Sequence, residues 1–107
     1  MRMLLKAQMP VEAANAAARD GNMVKGLKSI IDDLKPEAVY FLAENGRRTG
    51  YFFIDMKDPS QIPEVAEPFF LAMNADIELI PVMKYEDLEK AAPAIEHAVM
   101  KYGNGNK

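Results

Sequence analysis

The chain has 107 residues, half of them hydrophobic and 27% charged, with a net charge of -3 and no cysteine. That composition fits one globular domain and excludes a disulfide framework, a thiolate metal centre and thiol redox chemistry. The acidic balance opposes nucleic-acid binding, and no stretch has the continuous apolar run of a signal peptide or membrane span, so a cytoplasmic protein with no membrane partner is expected.

Met3, Leu5, Ala7 and Met9 alternate with Arg2, Leu4, Lys6 and Gln8, the two-residue period of a first strand with one apolar face. Pro10 suits the first position of a helix whose Ala-rich start, Val11 to Arg19, meets a left-handed stop at Gly21. Met23, Leu27, Ile30, Ile31 and Leu34 continue at helical spacing up to Pro36, which predicts one helix bent or broken near Gly21. Glu37 to Glu44 and Arg47 to Met56 read as a second and third strand joined at Asn45-Gly46, the strongest short hairpin signal. Ser60 is the expected cap of a second helix, with Ile62, Val65, Ala66, Phe69 and Met73 on one stripe and a kink at Pro68. Asp76 to Met83 alternates again, and Pro81 argues for an edge strand. Leu88, Ala92, Ile95, Val99 and Tyr102 mark a last helix interrupted by Pro93, ahead of a tail from Gly103 to Lys107 expected to be disordered.

The order βαββαβ plus a C-terminal helix is the ferredoxin-like arrangement. It predicts a single α+β domain over residues 1–102, with a four-stranded antiparallel sheet in the order 4-1-3-2 and both crossover helices on one face. A two-residue turn at Asn45-Gly46 pairs Glu44 with Arg47, Leu42 with Thr49, Tyr40 with Tyr51 and Ala38 with Phe53, all on one face. The opposite set, Val39, Phe41, Ala43, Gly50, Phe52 and Ile54, is more purely apolar and is expected under the helices. Leu4, Tyr40, Leu42, Tyr51, Phe53, Ile80 and Val82 then crowd a face that those helices cannot cover. At about 25 cal/mol per Å² of apolar surface, a patch of a few hundred Å² favours any cover by several kcal/mol. The cover is either the last helix folding back or the same face of a second chain, and the homodimer is the expected one.

Gln8-Met9-Pro10, Glu37-Ala38-Val39-Tyr40-Phe41, Gly46-Arg47-Arg48-Thr49, Asp58-Pro59-Ser60-Gln61-Ile62-Pro63, Ala66-Glu67-Pro68-Phe69-Phe70 and Pro81-Val82-Met83 carry a resemblance over nearly the full chain. It resembles a group of short bacterial proteins similar to the dimeric α+β barrel superfamily, in which two ferredoxin-like sheets face each other. The resemblance implies a dimeric α+β barrel and no particular activity. The pantothenate synthetase label sometimes given to such relatives requires a His-x-Gly-His signature, which a chain with one histidine lacks.

On the face predicted to be open, Lys6, Glu44, Arg47, Asp55 and Glu78 bring charge to apolar surroundings, and Tyr40 and Tyr51 add hydroxyls. Together with Leu42 and Phe53 this is the mixed lining of a small-molecule cavity. The plainer reading makes Glu44 and Arg47 a rim ion pair and lets Lys6 neutralise Glu78 on the next strand. If the face is enclosed, an unpaired carboxylate there has a raised pKa, and Asp55 is the best candidate because the register gives it no obvious cationic neighbour. The alternative function is a cofactor-independent enzyme, like the small monooxygenases or isomerases of that superfamily, with Asp55, Tyr40 or Tyr51 moving protons. His97 lies off the apolar stripe of the last helix and reads as a solvated residue. One histidine and scattered carboxylates offer no metal-ligand spacing, and no cofactor is expected. Arg48 to Ile54 faintly echoes an RNA-recognition strand, but Glu44, Asp55, Asp76 and Glu78 on the same face argue against RNA.

Overall fold

The computed structural model describes residues 1–103. Strands β1 (Arg2–Gln8), β2 (Ala38–Glu44), β3 (Arg47–Asp55) and β4 (Asp76–Pro81) form one antiparallel sheet in the order β2-β3-β1-β4. That is the expected order, read from the other edge. Helices α1 (Val11–Asp20), α2 (Asn22–Leu34) and α3 (Ile62–Met73) supply the two crossovers, an α+β arrangement compatible with the ferredoxin-like order. Asn45 and Gly46 both hold a positive φ, as a hairpin turn with the right-handed twist of its strands requires, and the predicted pairs from Glu44↔Arg47 to Ala38↔Phe53 follow.

One face of the sheet is the core. Met3, Leu5, Ala7 and Met9 are buried against Ile30 of α2 and Val65, Phe69 and Met73 of α3. Phe52 meets Phe69 with ring centroids 4.8 Å apart, and full burial of each such side chain contributes roughly 1.5–3 kcal/mol. Gly50 belongs to this packing, since a Cβ there would stand 2.6 Å from the Phe52 ring. The bare backbone lets Phe52 fold back over its own strand.

The first helix is broken at Gly21, as expected, where a φ of 76° ends α1 and precedes α2. Other boundaries differ from expectation. The cap ahead of α3 is Asp58, which accepts from the Ser60 backbone N–H and opens a short 3₁₀ turn, Pro59–Gln61; Ser60 is not the cap. Gln61 completes a capping box by accepting from the Asp58 N–H, and this reciprocal pair wins over a lone serine. Strand β4 ends at Pro81, not Met83. The last helix is two, α4 (Tyr85–Lys90) and α5 (Ala92–Ala98), closed by a π-helical turn, Val99–Gly103. The break falls at Ala91 because Pro93 sits in the first turn of α5, where its missing N–H costs nothing. Gly103 of the expected tail belongs to that last turn, and residues 104–107 lie outside the described residues.

One correction concerns what is covered. Phe41 and Ala43, expected under the helices, are exposed, Phe41 by 56%; only Val39 of that set on β2 packs against the core. Phe52 takes the space above Gly50, so Phe41 stacks edge-on against Phe52 at 5.9 Å on the rim of the core. The C-terminal helices, the less expected cover, do not fold back over the open face. They form an arm whose residues are nearly all exposed, and the molecule measures 63 × 28 × 22 Å. Among the described residues no helix is long and apolar enough to cross a membrane.

Candidate functional site

The open face of the sheet is built from alternate residues of all four strands. Register places Lys6 of β1 between Tyr51 of β3 and Glu78 of β4, with Tyr40 of β2 beyond Tyr51. Period two therefore brings together Lys6 and Glu78, 72 positions apart, without any special loop.

A cluster forms at the centre. The Lys6 ammonium lies 2.7 Å from Glu44 and 3.6 Å from Glu78, and its Nζ stands 5.6 Å from the centre of the Tyr51 ring. The Tyr51 hydroxyl donates a hydrogen bond to Glu44 Oε1. Glu44 thus accepts from two donors on two neighbouring strands, and the Lys6 contact, followed by the Tyr51 bond, holds its carboxyl below the usual value. The same Glu44 contact raises the Lys6 ammonium. It also raises the Tyr51 phenol, with burial adding to the shift. At neutral pH the cluster is therefore Lys6⁺, Glu44⁻ and a protonated Tyr51. These states make a cradle of fixed charges and hydrogen bonds, since none of the three is poised near neutrality as an efficient general acid or base is.

Apolar and aromatic groups surround it. Tyr40 packs edge-on against Phe53 at 6.4 Å and keeps 63% of its surface exposed. Leu4, Phe53 and Ile80 are half-buried, and Leu42 lies exposed at the β2 edge. A cavity of about 130 Å³ opens beside the cluster, lined by Lys6, Gln8, Glu44, Asn45, Asp76 and Glu78.

Lys6 does reach Glu78, at 3.6 Å, as expected, and Glu44 is its nearer partner. Two expected relationships are corrected. Glu44, although it faces Arg47 in the strand register, forms no ion pair with it; its carboxylate goes to Lys6 and Tyr51, while Arg47 reaches Asp76 at 3.9 Å. Asp55 does have cationic neighbours. The Met1 ammonium and Lys57 each lie 3.2 Å away at the far end of the sheet, and Lys57, then the ammonium, lower its pKa. Lys57 is two residues on in extended chain and so shares its face, a neighbour that period two makes readable.

The site also has members that sequence reasoning passed over. Gln8 donates to the Glu44 carbonyl and to Thr49 Oγ1, tying the ends of β1, β2 and β3 together, and Thr49 is buried as a result. His97 lies exposed on α5, away from the cluster. Comparison with family models, curated proteins and solved structures finds no match for this chain.

Proposed function

We propose that the chain works as a homodimer of the dimeric α+β barrel type, in which two open sheet faces meet and enclose the Lys6–Glu44–Tyr51 cluster as a binding cavity for a small molecule. The observation that carries this reading is the ring of Leu4, Tyr40, Leu42, Phe53 and Ile80, which surrounds a preorganised polar centre and over which no helix of the described residues is folded. A ring of that kind around convergent polar groups is what ligand sites and dimer interfaces share.

The chemistry of the ligand follows from the charges. Lys6 is already engaged by two carboxylates, and Asp76 adds a third acid to the cavity wall. The site therefore favours a small, partly apolar molecule that offers hydrogen-bond donors or a positive charge, and disfavours an anion. A single cavity of 130 Å³ is below the roughly 300–1,000 Å³ of ordinary ligand sites. Two of them brought face to face make a larger enclosed space that excludes water.

Native mass spectrometry at micromolar concentration tests the pair. The wild-type chain is expected at twice its 11.9 kDa mass. Tyr40→Glu, exposed in the single chain and so harmless to its folding, should return it to one by burying an unpaired charge between the sheets. A wild-type monomer, or an unchanged dimer in Tyr40→Glu, overturns the reading.

A further inference from the structure

The C-terminal arm and a groove at the far edge of the sheet have matching chemistry. The groove, of about 710 Å³, runs between α2 and β2; Met23, Val24, Leu27, Ile31, Phe41 and Leu42 make its apolar floor, and Lys28 and Arg48 stand in its wall. On the arm, Leu88, Ala92, Ile95, Val99 and Tyr102 recur at alternating steps of about four and three residues, which puts them on one stripe. Leu88, Ile95, Val99 and Tyr102 keep between 43% and 69% of their surface exposed. The arm also carries Glu86, Asp87, Glu89 and Glu96 against Lys90 and Lys101, an excess of negative charge to set against the cations of the groove.

We propose that each arm seats in the α2–β2 groove of a second copy, as an amphipathic helix in an apolar groove. The inference rests on the face-to-face pair proposed above, with its twofold axis along the strands. That axis reverses the order β2-β3-β1-β4 from one sheet to the other, so β4 of the partner lies over β2. The arm leaves β4 at the sheet end marked by the pair Met3↔Pro81, whereas the groove opens at the end that holds Met9 and Arg48. The separation along β2 is about 20 Å and the sheets stack about 10 Å apart. The two helices and closing turn of the arm, Tyr85 to Gly103, come to at most about 28 Å end to end at the α-helical rise, enough for that path. Within its own chain the groove lies at the opposite edge and the opposite end of the sheet from the root of the arm. Leu42 belongs both to the open face and to the groove, so the two contact surfaces are continuous around the β2 edge.

The natural chain has no cysteine, so introduced ones report without background. Val24→Cys chains are co-expressed with Ile95→Cys or Val99→Cys chains and oxidised. The expected product is a disulfide-linked heterodimer, seen on a non-reducing gel, and absent when Glu12→Cys on the exposed start of α1 replaces Val24→Cys. Equal linkage to Glu12→Cys overturns the inference. So does a Val24→Cys/Ile95→Cys double variant that closes on itself as a monomer, because the arm then docks in its own chain. A wild-type dimer by native mass with no linkage overturns the arm exchange and leaves the sheet pairing standing, whereas a wild-type monomer removes both.

Discussion

On the helix side of the sheet Leu5, Phe52 and Phe69 have no exposed surface, whereas on the other side Tyr40, from the same hairpin as Phe52, keeps 63% of its own. Both faces arise from one alternation of residues, and both are rich in aromatic and aliphatic groups. The difference is that three helices are folded over one of them and no described element is folded over the other. Hydrophobic patterning thus decides which residues share a face, and the reach of the covering layer decides which face becomes core. Substitutions on the first face should act on folding, and substitutions on the second on association and protonation.

The largest expected effect is at Phe52, where Phe52→Ala should cost about 3–5 kcal/mol in denaturant unfolding by emptying the contact with Phe69. A loss below about 1 kcal/mol would show that the helix side is loosely packed and that the contrast between the faces is overstated. Next comes Gly50→Ala, where the added methyl must displace the Phe52 ring, at a cost of about 1–3 kcal/mol. Free tolerance of that methyl would mean that Phe52 has another place to go.

The smallest effect sharpens the open side. Glu44 has a lowered pKa, so its contribution to stability is present above the ordinary carboxylate value of 4.5 and lost as the pH falls through its folded value. Lys6 and Tyr51 have raised values, so theirs is lost as the pH rises through folded values above 10.5 and 10.0 respectively. Stability attributable to the cluster should form a plateau between these limits. Titration of phenolate absorbance, assigned with Tyr51→Phe, should place Tyr51 above the ordinary tyrosine value, and Glu44→Gln should bring it down. An unmoved curve in Glu44→Gln would mean that the bond to Glu44 is not what holds the phenol protonated.

Strand order, hairpin register and the parity of every strand were legible because Asn45-Gly46 admits few turns and a one-residue slip would turn Phe52 out to solvent. The central cluster was half legible. Parity put Lys6, Glu44, Tyr51 and Glu78 on one face, but choosing Glu44 over Glu78 as the nearer partner of Lys6 depends on side-chain reach. Exposure of Phe41 was not legible, because period two says which way a side chain points and nothing of how far the helix layer extends over an edge strand. The course of the arm was not legible for a related reason. An apolar stripe at Leu88, Ile95 and Val99 calls for a cover without saying where in space it must be found.

The two edges of the sheet are unequal, and this bears on how the molecule behaves when concentrated. Strand β2 presents its outer row of backbone donors and acceptors between exposed Tyr40, Phe41 and Leu42, with no proline or lysine to discourage an incoming strand. Strand β4 at the other border is short, shows Asp76 and Glu78, and finishes in Pro81. Unbroken fibril growth needs an adhesive margin on both sides of each unit, and this one has a single such margin. Strand addition at β2 therefore terminates after one event, and crowding should yield small closed assemblies in place of filaments.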